Sequence, residues 1–124
     1  MTTLADLEIS CLPPSVNHIW RACGRAVYKT KAAKDWQNTA IRLIDADRRR
    51  RGIFTPYGGK VTLRLQICTK TKRRLDIDNR VKAVQDCLAP AGVIKDDSQV
   101  WELYVRRDEA EKDYCRLTVR TAEE

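Results

Sequence analysis

The sequence predicts an α+β domain in which two main helices cover a mixed β-sheet, in the order β-α-β-α-β-β. Three observations lead there. Apolar and polar residues alternate at period two in several stretches, which is the signature of a half-buried strand. Two other stretches repeat apolar residues at helical spacing. Proline and glycine clusters punctuate the boundaries between them. With 124 residues the chain has the size of one domain, spanning 1–124, and no repeat or linker divides it.

Leu7 to Leu12 alternates and reads as the first strand, with Leu7, Ile9 and Cys11 on one face. Pro13-Pro14 ends it, because proline cannot donate to a sheet ladder. Ser15 to Arg25 reads as a loop carrying Asn17, His18, Trp20 and Arg21, and Val27 to Lys29 as a short extended piece. Thr30 is a good N-cap for the first helix, which places Ala33, Trp36, Ala40, Leu43 and Ile44 on its inner face. That helix runs to about Arg50 and stops at Gly52. Arg48 to Arg51 stand at its C-terminus, where they complement the helix dipole or meet phosphates.

Lys60 to Cys68 is the clearest strand, with Val61, Leu63, Leu65 and Ile67 inward. The second helix is expected to begin near Asp76 to Asp78, with Val81, Val84, Leu88 and Ala91 in one stripe. Pro90 makes its last turn irregular, and Gly92 suits the left-handed position beyond the end. Trp101, Leu103 and Val105 then share a face, as do Cys115, Leu117 and Val119. The segment 108–113 joins these last two strands, most simply as an antiparallel hairpin.

Composition narrows the function. Hydrophobic residues make up 43% of the chain, too many for a disordered one. No apolar run approaches the ~20 residues of a membrane span, and Asp6 and Glu8 argue against a secretory signal. The expected location is the cytoplasm, with no membrane partner. Net charge is +7, which favours a polyanionic partner. The five cysteines form no C-x-x-C pair and there is one histidine, so a structural zinc site is not expected and the thiols read as free.

The informative stretch is 72–82. Asp76 and Asp78 sit inside a basic run made by Lys70, Lys72, Arg73 and Arg74, the expected phosphate contacts. Lys82 follows Asp78 by four residues, and Asp96-Asp97 follows the helix. Acidic side chains held in a basic surface repel a nucleic acid unless a cation intervenes. Mg²⁺ takes oxygen ligands, keeps several waters and is often held by one or two carboxylates plus substrate phosphate. Asp76, Asp78 and Asp97 are the candidate metal ligands, with Lys82 placed to steady charge developing on phosphate oxygens. The plainer reading is a capped helix, a surface pair of Asp78 with Lys82, and a turn at Asp96-Asp97-Ser98.

Asp76-Ile77-Asp78-Asn79, then Lys82, then Ala91-Gly92-Val93-Ile94-Lys95-Asp96-Asp97-Ser98-Gln99-Val100 resemble the RusA family of Holliday junction resolvases. Leu12-Pro13-Pro14-Ser15-Val16-Asn17 is similar to that family's opening P-P-S-x-N element, and the likeness covers nearly the whole chain. The resemblance implies a homodimeric endonuclease dependent on Mg²⁺, with Mn²⁺ as the alternative ion. Such an enzyme nicks two opposed strands of four-way or branched DNA in a bacterial or phage-infected cell. It further implies that Asp76, Asp78, Asp97 and Lys82 are catalytic, with Asn79, Asp96 and Asn17 supporting them. One departure stands out: some members carry arginine immediately before the first aspartate, where this chain has Leu75, so Arg73 or Arg74 would have to make that contact. The alternatives are a non-catalytic branched-DNA-binding module of the same fold and a phosphohydrolase for a small nucleotide.

Overall fold

A computed structural model describes residues 1–15, 20–23 and 26–122, with backbone alone for 20–23 and 26–29. Among the described residues, six strands and two α-helices follow one another: β1 (Thr3–Ile9), β2 (Trp20–Cys23), β3 (Ala26–Lys29), α1 (Lys31–Arg50), β4 (Val61–Thr69), α2 (Val81–Leu88), β5 (Val100–Glu109) and β6 (Tyr114–Thr121). Short 3-10 turns at Asp78–Arg80 and Asp97–Gln99 flank α2. The main sheet is mixed, in the order β1-β6-β4-β5, and β2 pairs with β3 as a separate hairpin.

The expected α+β class holds: one core joins the inner residues of β1, β4 and β6 to the buried stripes of both helices. In β4 the alternation works as expected, with Val61, Leu63, Leu65 and Ile67 at 0–1% exposure and Arg64 exposed. Thr30 caps α1, its side chain accepting from the Ala33 N–H at 3.3 Å. Both helices end on a glycine at positive φ, Gly52 at 78° and Gly92 at 82°. In each case the glycine and the next residue donate back to the last turn: Gly52 to Arg49 and Ile53 to Arg48, Gly92 to Ala89 and Val93 to Leu88.

Several expectations need correction. β1 starts at Thr3 rather than Leu7 and ends before Cys11, which is exposed. A register shift between Thr3 and Ala5 buries Leu4 and Ala5 together, which breaks the period a reader looks for. Trp20–Cys23 is a strand rather than loop, and Asn17 and His18 lie outside the described residues. Leu43 points outward at 37% exposure, because the buried stripe of α1 runs through Gln37, Ala40 and Ile44 into Asp47 and Arg48. Hydrophobicity alone cannot see a stripe that ends in charged residues.

The last two strands are not a hairpin. β5 pairs with β4 in parallel, Leu63 opposite Leu103, while β6 pairs with the other edge of β4 in antiparallel, Leu63 opposite Val119. The 110–113 connection steps over the end of β4, held by Ala110 N–H to Thr69 O at 3.0 Å and Lys70 N–H to the Asp113 carboxylate at 2.8 Å. Two strand spacings are about 10 Å, which four residues cross easily. A register shift next to Val100 also takes Trp101 out of the shared face, and β5, as an edge strand, leaves Trp101, Leu103 and Tyr104 exposed. β4, α2 and β5 therefore form a parallel crossover unit, and the acidic motifs occupy its two connections.

Candidate active site

α2 is the frame of the site. Val81, Val84, Cys87 and Leu88 bury one stripe of it, so its outer side chains project from a fixed backbone. The helix does not begin at Asp76: the chain passes through a 3-10 turn from Asp78 to Arg80 first. The i,i+4 geometry expected between Asp78 and Lys82 is accordingly not made. Lys82 instead donates to the Asp86 carboxylate one turn further on, at 2.8 Å.

Asp76 and Asp78 are both exposed on the approach to α2. The Asn79 amide donates to the Asp76 carboxylate at 3.4 Å. Arg74, Leu75 and Asp76 line a shallow hollow. Leu75 packs partly against the core, while Lys70, Lys72, Arg73 and Arg74 are exposed around it. A larger concavity lies on the outer face of the sheet, around Arg64, Tyr104, Arg116 and Arg120, and contains none of these residues.

Asp97 opens the second 3-10 turn, against α2. Burial pushes its carboxyl up, the Asp86 charge pushes it further, and the Lys82 ammonium pulls it down. Lys82 is itself held above its ordinary value, first by its hydrogen bond to Asp86 and then by the Asp86 charge. Lys82, Asp86 and Asp97 thus share one electrostatic neighbourhood. Asp96 does different work: it is the N-cap of the turn, accepting from Ser98 N–H at 2.9 Å. Its carboxyl lies below the ordinary range because of that hydrogen bonding with Ser98.

The sequence reading missed four residues. Gln99 accepts from the N–H groups of Lys95 at 2.7 Å and Asp96 at 2.9 Å, and donates to the carbonyls of Tyr57 and Gly59 at 2.8 Å each. Every polar atom of this side chain is used to pin the Asp97 turn to the 57–59 loop. Gln99→Ala is expected to cost about 1–3 kcal/mol in chemical denaturation, since several backbone groups lose their partner. The capping-box pattern with Asp96 was the signal available for it. Arg80 donates to Pro13 O at 2.7 Å, and Arg107 to Thr69 Oγ1 at 3.0 Å and Thr71 O at 2.9 Å. Burial, then the Arg107 charge, pulls the Arg80 value down. Asp86 is the fourth; only its spacing from Lys82 marked it.

The donor types suit Mg²⁺. The available donors are carboxylate oxygens on exposed turns within a basic rim, which is the chemistry that ion requires. Among the described residues, however, no three acidic side chains converge to cage an ion. Asp76 is brought to Asn79, and Asp97 to Asp86 and Lys82; the two groups are not joined to each other by a hydrogen bond or ion pair. A cation here would be held by one or two carboxylates and completed by water and substrate phosphate. No helix among the described residues is long and apolar enough to cross a membrane.

A basic rim around exposed carboxylates, a lysine fixed on a short helix and an α+β crossover that carries both motifs describe a nucleic-acid hydrolase. The comparisons narrow this class. The profile of the family described as Endodeoxyribonuclease RusA matches residues 11–121, and the chain belongs to that family. It is 28% identical over 117 residues to the Crossover junction endodeoxyribonuclease RusA of Aquifex aeolicus (strain VF5), covering 93% of this chain and 90% of that protein. It is 36% identical over 101 residues to the Crossover junction endodeoxyribonuclease rusA of Enterobacteria phage HK97, covering 77% of this chain and 76% of that one.

Proposed function

We propose that this chain is a Mg²⁺-dependent endonuclease that resolves four-way DNA junctions by paired cleavage as a homodimer. The observation that carries the reading is the family match over residues 11–121, in a chain whose motif lysine Lys82 and motif acid Asp97 share one electrostatic neighbourhood beside α2. Asp76, Asp78 and Asp97 supply oxygen ligands in this reading, and Asn79 restrains Asp76. A bound Mg²⁺ would polarise the phosphate and lower the pKa of a water. The oxygen of water adds to phosphorus, the ester P–O bond breaks, and one strand end keeps the phosphate while the other gains a hydroxyl. Lys82 steadies the charge on the oxygens as that bond breaks. Lys70, Lys72, Arg73 and Arg74 hold the flanking phosphates, and Arg73 or Arg74 stands in for the side chain that Leu75 cannot provide.

Two matched cuts need two sites at a fixed separation, which a two-fold dimer of this 14.3 kDa chain supplies. Branched-DNA binding without cleavage is the second reading. It is favoured by the lack, among the described residues, of a closed set of three carboxylates.

Anisotropy titration of a labelled junction in EDTA, at rising KCl, tests the polymer contacts apart from cleavage. The expected slope of log K against log salt is about −0.9 per neutralised phosphate, and Arg73→Ala or Arg74→Ala should each flatten it by about 1. A shallow slope with equal affinity for a mononucleotide would point to the small-substrate hydrolase instead.

A further inference from the structure

Lysine is a long, rotamer-rich side chain, and the Lys82 side chain is 57% exposed. Left alone it would sample many positions, which is poor placement for a group that must meet a phosphate oxygen within a fraction of an ångström. One acid pairs with it, and a second shares its electrostatic neighbourhood. Asp86 stands one turn along the same helix, its carboxylate 2.8 Å from Nζ, and Asp97 lies across from both. The Asp86 side chain is only 27% exposed and rises from a helix whose other face is packed into the core, so its carboxylate is the fixed partner of the pair.

We propose that Asp86 is the positioning residue for Lys82. It holds the ammonium in one rotamer beside Asp97 and keeps it from closing on the Asp97 carboxylate. This rests on the nuclease reading above, deepens it, and explains why an acid that is none of the motif aspartates lies beside the motif lysine. The partner groups that orient a working side chain typically cost 10–100-fold when removed, by analogy with those that orient metal ligands.

Single-turnover cleavage of a labelled junction with Mg²⁺, with affinity measured separately in EDTA, reads the effect. Asp86→Ala is expected to slow cleavage about thirtyfold, with affinity and melting temperature unchanged, since an exposed pair adds little stability. Asp86→Glu still reaches Lys82 at i,i+4 and should recover most of the rate. In a Lys82→Ala background, Asp86→Ala should slow cleavage by no more than about twofold, because residues acting as one unit are not additive. Asp86→Ala cleaving like wild type overturns the proposal. So does a loss that is equal in both backgrounds, which would give Asp86 a task independent of Lys82. Wild type and Asp76→Asn run alongside: an Asp76→Asn protein that cuts normally takes Asp76 out of the machinery and leaves the Asp86 result standing, whereas a wild type that leaves the junction intact overturns both the nuclease reading and the role of Asp86.

Discussion

Junction cleavage is expected to fall about a thousandfold when Asp76 becomes asparagine, while junction affinity stays within about twofold. Asparagine keeps the size of the side chain and removes the charge that a cation needs. Asp76 is exposed and, among the described residues, its carboxylate is hydrogen-bonded by the Asn79 amide alone, so the fold does not depend on it. Removing an acid from a surface that meets phosphates also removes a repulsion, so binding should hold or tighten slightly. Single-turnover rates with Mg²⁺, beside affinities in EDTA, separate the two effects. A variant that binds and cuts as well as the wild type takes Asp76 out of the machinery. One that fails to bind makes it a structural residue.

The largest effect on stability is expected at Asp47. Its side chain is 5% exposed and ties β1 to the C-terminal end of α1. It accepts from the Asp6 N–H of β1 at 2.9 Å and from Arg51 Nε at 2.8 Å, and it pairs with Arg50. Burial pushes its carboxyl up, but the hydrogen bonds from Arg51, the Asp6 backbone and Arg50 outweigh it, and the net value lies below the ordinary 3.8. Asp47→Ala should therefore cost about 3 kcal/mol, since it strips a buried charge from its partners and leaves a buried N–H unpaired. The arginines keep some access to water, which holds the cost at that level. A carboxylate with a depressed folded value adds stability that is present above 3.8 and lost as pH falls through the folded value. Asp6 behaves alike, its value lowered chiefly by the Arg116 hydrogen bond. Urea titrations from pH 7 to pH 2 should show stability falling below about pH 4, less steeply in Asp47→Asn. A denaturation midpoint for Asp47→Ala equal to wild type would contradict this role.

What could be read from the sequence follows from the range of the interactions involved. The β4 alternation, the Thr30 cap and the Gly52 and Gly92 stops are local, so they were legible and stand as expected. The place of β6 was not. A hairpin and a step across β4 have the same strand directions and the same four-residue connection, and the difference lies in which edge of β4 is free when β5 arrives. The four-arginine run was legible as helix-end charge, but its partners were not. Arg48 is buried against the carbonyls of Ala91 at 2.7 Å and Ile53 at 2.9 Å, and Arg49 to Arg51 pair with Asp45 and Asp47. Thiols outside disulfides were expected, and among the described residues Cys68, Cys87 and Cys115 are buried thiols, with burial pushing Cys115 up to about 12. At the site, the motif fixed the residue types. The i,i+4 spacing of Lys82 and Asp86 was legible, but the late start of the α-helix at Val81, after a 3-10 turn that carries Asp78, was not.

Cleavage of a labelled four-way junction beside a linear duplex of matched sequence, each with Mg²⁺ and with EDTA, tests the central claim most directly. Paired, symmetrically placed nicks in the junction alone, and only with the metal, are the predicted result. An intact junction under tight binding, or equal cutting of junction and duplex, would contradict it.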